Sequence, residues 1–97
     1  MFSGMLAGAT LAAAPLKIHF RLPAEPAEQA LKRFSQQSGL EVLFTTDAAA
    51  NVTTNAIDGE FHPKEAIDQM LEGTALVAAQ DERTGAMKVR RNRSPND

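Results

Sequence analysis

The chain has 97 residues, 43% of them hydrophobic, and a formal net charge of −2 at pH 7. This length fits one small globular domain, which buries only about 60–70% of the surface of its unfolded chain. The lack of cysteine excludes disulfides and sulfur-ligated metals. The weakly acidic balance and the absence of Trp and Tyr argue against nucleic acid as a partner.

Charge and composition divide the chain into three parts. Residues 1–15 carry no charge and are too short for a membrane span of about 20 residues, so they are interpreted as a leader remnant or an N-terminal extension. Residues 16–91 are the predicted folded domain, and residues 92–97 a polar linker. The only basic cluster is interpreted as a solvated strand edge and tail; it consists of Lys88, Arg90, Arg91 and Arg93.

The folded part begins with an alternating segment. Hydrophobic residues occupy every second position, which is typical of a half-buried strand; they are Leu16, Ile18, Phe20 and Leu22. Pro23 ends that strand because it has no N–H for the ladder. Pro26 fits the first position of a helix of about 12 residues that ends at Gly39. Its apolar stripe consists of Ala27, Ala30, Leu31, Phe34 and Ser38.

A second strand is predicted at residues 40–45. Its inner face consists of Leu40, Val42 and Phe44, and its outer face of Glu41, Leu43 and Thr45. Leu43 is therefore a large apolar side chain on a face that is otherwise polar. The connection that follows has room for one helical turn beginning at Asp47.

The second half repeats this order. A third strand at residues 55–61 contains Gly59, which indicates a bulge or a close backbone approach. Pro63 suits a helix start, where His62 takes the N-cap and Glu65 the first turn. The second stripe is Ala66, Ile67, Met70, Leu71 and Thr74. A fourth strand follows at residues 76–80, a hairpin turn at 81–85 and a fifth strand at 86–91.

The two halves match after a shift of 36 residues, which pairs Ala30 with Ala66, Leu31 with Ile67, Phe34 with Met70 and Leu40 with Leu76. The sequence therefore predicts an α+β domain of two strand–helix–strand units plus a fifth strand, with the two helices packed together. We expect each unit to form a right-handed parallel crossover, as such units normally do.

Residues suited to catalysis are scattered. His19 and His62 have no further ligands at metal-binding spacing, and Glu65 and Glu72 fit helix positions better than an acid–base pair. The sequence has no phosphate-binding glycine loop and no plausible Ser–His–Asp set. We therefore predict a protein that is not an enzyme and uses no metal, cofactor or small-molecule ligand.

Contact with another protein is the remaining class of function. A short exposed sheet edge can accept a strand of a partner through main-chain hydrogen bonds. The candidate partner-binding residues are Glu41, Leu43 and Thr45 on the outer face of the second strand, although a single exposed leucine is also ordinary in a soluble protein.

Motifs in both halves carry a family resemblance. They are Ile18–Ala24, Ala30–Leu31 with Phe34, Gln37–Phe44, Gly59–Phe61, Glu65–Ile67 and Met70–Leu76. Together they resemble the secretin and TonB short N-terminal domain over residues 16–91. The chain departs from the family at His62, where Thr or Ser often caps the helix, and at Ala75, where Gly is usual.

The resemblance implies two helices sandwiched between two small β-sheets, in the periplasm of a Gram-negative bacterium. It implies the signalling domain of a TonB-dependent outer-membrane siderophore-type receptor, which relays receptor occupancy to the periplasmic domain of an inner-membrane anti-sigma regulator. Two alternatives stay open. One is an assembly domain of a secretin in a secretion or pilus system, and the other is a related domain of the regulator itself.

Overall fold

The computed structural model describes residues 17–92. The elements are β1 (Ile18–Leu22), α1 (Ala27–Ser38), β2 (Val42–Leu43), α2 (Thr46–Ala49), β3 (Ile57–Phe61), α3 (Pro63–Leu71), β4 (Leu76–Gln80) and β5 (Met87–Arg91). All five predicted strands and both long helices are present, with β2 shorter than predicted. The proposed leader at residues 1–15 and most of the linker at 92–97 lie outside the described residues. Within the described part of the chain, no helix is long and apolar enough to cross a membrane.

The strands form two separate sheets. β1 pairs antiparallel with β3, whereas β5 lies between β2, to which it is parallel, and β4, to which it is antiparallel. The parallel crossover predicted within each half is therefore wrong, because the two strands of each half lie in different sheets.

Both long helices lie between these sheets. α1 packs against β1 and β2, and α3 packs against β3 and β4, so each helix contacts both sheets. A sheet of two or three short strands has too little apolar surface to cover a helix alone, which explains why the strands of one half separate. The predicted sandwich of two helices between two small sheets is confirmed. The buried helical residues join one core; they are Ala27, Ala30, Leu31, Phe34, Ala66, Ile67, Met70 and Leu71.

An aromatic stack lies in this core. The rings of Phe20 on β1 and Phe34 on α1 are stacked with centroids 5.3 Å apart and planes 2° apart, and both side chains are fully buried. The contact fixes α1 to the inner face of the two-stranded sheet.

Helix α1 begins one residue later than predicted. Pro26 is its N-cap, with ψ of 139°, and bridges to Thr53, while the N–H of Ala27 donates to the Val52 carbonyl at 2.8 Å. The prediction that Pro26 takes the first helical position is wrong because this long-range pairing holds it in an extended conformation. Gly39 ends the helix in the left-handed region, with φ of 76°, as predicted.

The caps of the other helices differ in how well they were predicted. Thr45 caps α2 by accepting the N–H of Ala48 at 3.1 Å, so the prediction that this turn begins at Asp47 is wrong by two residues. Pro63 is the first residue of α3, as predicted. His62 and Glu65 form a capping box, in which the N–H of His62 donates to Glu65 Oε1 at 3.2 Å.

Gly59 marks a close approach and not a bulge. The register of β1 and β3 runs without interruption from Ile18↔Phe61 to Leu22↔Ile57. At Gly59, φ is 151°, and an added Cβ would lie 3.3 Å from the ring of Phe61. The predicted bulge is therefore wrong, and the close approach at Gly59 is that of a side-chain ring and not of a neighbouring backbone.

The outer edge of β1 is occupied by a side chain. The N–H of Arg21 donates to Gln37 Oε1 at 3.0 Å, and Gln37 Nε2 donates to the carbonyl of Arg21 at 3.1 Å. The primary amide of Gln37 thus makes the two hydrogen bonds that a neighbouring strand would make, and it blocks strand addition at this point.

Replacement of Phe34 by Ala should cost about 3–5 kcal/mol, because it removes a fully buried ring and half of the aromatic stack. A domain of this size has a total stability of about 5–15 kcal/mol, so a thermal melt should show a large decrease in Tm. The exposed Gln29→Ala on the same helix is the control. A melt of Phe34→Ala that matches the control would contradict this placement of the core.

Replacement of Gln37 by Ala should speed hydrogen exchange of the Arg21 amide about fivefold, because one hydrogen bond contributes about 1 kcal/mol to local protection. Amide exchange followed by NMR measures this effect. The exposed neighbour Gln36→Ala should leave that amide unchanged, and equal exchange rates in the two variants would show that Gln37 does not close the edge.

Candidate partner-binding face

The outward orientation of β2 follows from its pairing with β5. The N–H of Met87 donates to the carbonyl of Glu41 at 2.8 Å, and Leu43 lies beside Lys88 in the parallel register. The core partly buries the inner-face residues Leu40, Val42 and Phe44. The predicted division of this segment into two faces is confirmed, with Glu41, Leu43 and Thr45 all exposed.

Leu43 is conspicuous on this face. Its relative exposure is 45%, and no other large hydrophobic side chain of residues 17–92 is exposed. The other two predicted residues differ in how their polar groups are engaged. The hydroxyl of Thr45 caps α2. The carboxylate of Glu41 has no ion-pair partner among the described residues. Partner binding by these three residues stays a prediction.

A row of basic side chains lies beside Leu43. Lys88 and Arg90 are exposed residues of β5, which is the central strand of its sheet. Their interpretation as part of a solvated strand edge is therefore wrong for Lys88, which β5 places between Leu43 and Ala79, whereas Arg90 is paired with Val77 of β4 alone.

The far side of the basic row is apolar. In the antiparallel register of β4 and β5, Ala79 lies opposite Lys88 and Val77 opposite Arg90. Directly paired residues share one face of a sheet, so the outer face carries Leu43, then the two cations, then two small apolar side chains. Sequence reasoning missed this row, although the hairpin turn at residues 81–85 was predicted and would have given the pairing.

The cations of β5 differ from those of β1, α1 and α3. Ion pairs join four basic residues of the helices and the other sheet to carboxylates: Arg21, Lys32, Arg33 and Lys64. Within residues 17–92, Lys88 and Arg90 have no carboxylate within ion-pair distance. The third cation of β5, Arg91, donates from Nη2 to the Ala50 carbonyl at 3.2 Å, a hydrogen bond that leaves its charge uncompensated.

The carboxyl group of Asp81, whose charge interacts with that of Lys88, is held by a turn. Asp81 Oδ1 accepts the N–H groups of Arg83 at 2.7 Å and Thr84 at 3.1 Å. These hydrogen bonds lower the pKa of Asp81, with a smaller contribution from the charge of Lys88. The carboxylate is therefore engaged within the hairpin and does not form an ion pair with the lysine.

The clefts that residues 17–92 form are shallow and hold no converging set of reactive groups. One of about 480 Å³ lies between α2 and β5 and is lined by Thr45, Asp47, Ala48, Arg90 and Arg91. His19 Nε2 lies 3.4 Å from Asp58 Oδ1 on the outer face of the other sheet. Among the residues that the structure describes, no three His, Asp or Glu side chains lie close enough together to hold a metal ion.

Comparison with known proteins places this fold among iron-uptake receptors. No family model matches the chain. The ferric-pyoverdine M114 receptor PbuA of Pseudomonas sp. (strain M114) is 27% identical over 86 residues, which are 84% of this chain and 10% of the receptor. The crystal structure of the ferripyoverdine receptor of the outer membrane of Pseudomonas aeruginosa, bound to ferripyoverdine, superimposes with a TM-score of 0.71 and 26% identity, over 78% of this chain and 10% of that one.

An isolated domain gives a match of comparable quality. The solution structure of the periplasmic signalling domain of the outer-membrane iron transporter PupA of Pseudomonas putida has a TM-score of 0.72 and 18% identity, and the match covers 84% of this chain and 98% of that domain. The chain thus spans about a tenth of the receptors that it matches, but nearly all of this domain.

These relatives are receptors and a periplasmic signalling domain, in agreement with the predicted class of protein and the predicted periplasmic location. The match to PupA, at 18% sequence identity, shows a shared fold. The matches to the two pyoverdine receptors, at 27% and 26% identity, show similarity of sequence as well. The resemblance to the secretin and TonB short N-terminal domain, in the form of the signalling domain of TonB-dependent outer-membrane receptors, is therefore confirmed.

Proposed function

We propose that this chain is the periplasmic signalling domain of a TonB-dependent outer-membrane siderophore-type receptor, and that it relays receptor occupancy to an inner-membrane anti-sigma regulator by protein–protein contact. The observation that supports this most is the match of 84% of the chain to the ferric-pyoverdine receptor PbuA. In this proposal residues 16–91 are the signalling domain, residues 92–97 are the linker that follows it, and residues 1–15 are a leader remnant or an extension.

The surface suits a relay that works by contact. The inner faces of both sheets are used by the core, and their outer faces and open edges stay accessible to a partner. The outer face of a sheet of three short strands is small, which favours a weak and reversible interface of less than about 1,200 Å². A signal that depends on receptor occupancy needs such reversibility.

Leu43 is the proposed anchor of this contact, with Glu41 and Thr45 beside it. It is already partly desolvated by its neighbours on β5, and a partner that covers it removes the remaining apolar surface from water. A single well-covered apolar side chain can contribute a large share of the binding free energy of a small interface.

Replacement of Leu43 by Asp should weaken binding of the regulator's periplasmic domain about tenfold or more, because it exchanges an apolar contact for a charge at the interface. Titration calorimetry with the purified domain and the regulator encoded beside the parent receptor measures this effect. Ala56→Asp adds the same charge at an exposed position before β3, on the opposite sheet, and should bind as the unmodified domain does.

Both variants should melt as the unmodified domain does, since neither side chain belongs to the core. Unchanged affinity of Leu43→Asp would remove this residue from the contact. The sequence of the parent gene after residue 97 distinguishes a receptor from a secretin. A TonB box, plug and barrel there support the receptor, whereas secretin ring domains there would overturn the proposed function.

A further inference from the structure

The outer face of the three-stranded sheet combines two features. It carries a basic row, Lys88 and Arg90, with no carboxylate within ion-pair distance among the described residues, and apolar side chains border Lys88 on both sides and Arg90 on one. Leu43 lies on one side, and Val77 and Ala79 lie on the other. We call these five residues the basic track.

We propose that the basic track binds an extended acidic segment of the partner protein, with carboxylates on Lys88 and Arg90 and apolar side chains against Leu43. This inference rests on the proposed function and deepens it, because it specifies the chemistry of the partner's contacting surface. It assigns binding to the four residues of the track that lie outside the predicted site: Lys88, Arg90, Val77 and Ala79.

The spacing of the track favours an extended segment. Lys88 and Arg90 are two residues apart on one strand, so their Cα atoms are about 7 Å apart along it. In an extended peptide, side chains at positions i and i+2 have the same spacing and point to the same side. Acidic residues at alternate positions therefore meet both cations when the segment lies along the strand.

The positive charge of the basic track favours a negatively charged segment of the partner. Covering the track with a neutral surface would remove two cations from water without a counter-charge, which is unfavourable. Carboxylates compensate that loss, and they are absent from the track itself. Glu41 at one end of β2 repels an acidic segment, so it limits how far the segment extends in that direction.

An anionic membrane surface is the other binder with this chemistry. Lipid-binding patches contain clusters of about 4–8 basic residues, whereas the track has two, together with the hydrogen-bonded Arg91. The sheet face also carries Leu43 on a short, fixed strand and not on an amphipathic helix. A protein carboxylate is therefore the better match.

The test compares two double variants that lose the same charge. Lys88→Gln with Arg90→Gln neutralises the track, and Arg21→Gln with Lys32→Gln neutralises two exposed cations on β1 and α1. Binding to the regulator's periplasmic domain is measured by surface plasmon resonance at about 0.1 M and about 1 M salt, where charges are screened beyond about 10 Å and about 3 Å respectively.

The track variant should bind about fivefold more weakly at the lower salt, chiefly through slower association, and should lose most of the salt dependence. The control variant should bind within about twofold of the unmodified domain. Equal losses in the two variants, or binding that salt does not change, would overturn the acidic-segment proposal while leaving the proposed function intact.

Two further outcomes are decisive. If the unmodified domain does not bind the regulator at either salt concentration, the proposed function and this inference both fail. If the domain binds vesicles that contain phosphatidylglycerol and the track variant does not, while both bind the regulator equally, the track is a membrane contact and the acidic-segment proposal is wrong.

Discussion

The fold depends on one constraint: each thin sheet must pack against both long helices, because neither sheet can cover a helix alone. The stacked rings of Phe20 on β1 and Phe34 on α1 are one of the contacts that meet this constraint. In the two-stranded sheet β1 presents three inward side chains and β3 two, because Gly59 has none, and these are too few to cover an amphipathic helix. In this structure the two strands of each half lie in opposite sheets. Each helix then buries its stripe against both, and neither half is complete without the other.

That solution determines what remains for function. Because both sheets use their inner faces for the core, their outer faces carry little of the stability, and substitutions there change binding more than folding. The edges are not equivalent either. Gln37 occupies the backbone groups of Arg21 on β1, so the two-stranded sheet is protected on that side from pairing with other chains.

Much of this architecture could be predicted from the sequence because it depends on neighbours within one or two turns of the chain. The stripes around Phe34 and Met70, the left-handed Gly39 and the outward position of Leu43 all follow from local spacing. The pairing of the strands does not follow from local spacing. The crossover was predicted wrongly because a strand–helix–strand pattern is the same whether its strands lie in one sheet or in two.

The candidate site shows the same division at smaller scale. The outward face of β2 was predicted from alternation alone, but the basic residues of β5 were assigned to an edge because their position depends on two partner strands. Thr45 was counted as a contact although its hydroxyl caps α2.

Electrostatics completes the division between stability and recognition. Cations that lie near carboxylates of the same chain have their charge partly compensated, and a partner gains little by approaching them. Arg33, for example, lies 2.8 Å from the carboxylate of Glu25. Lys88 and Arg90 have no carboxylate within ion-pair distance among the described residues, so the positive field of this face extends into solvent. A face of this kind attracts an oppositely charged partner before contact, and the apolar side chains beside it take effect only once the partner has arrived.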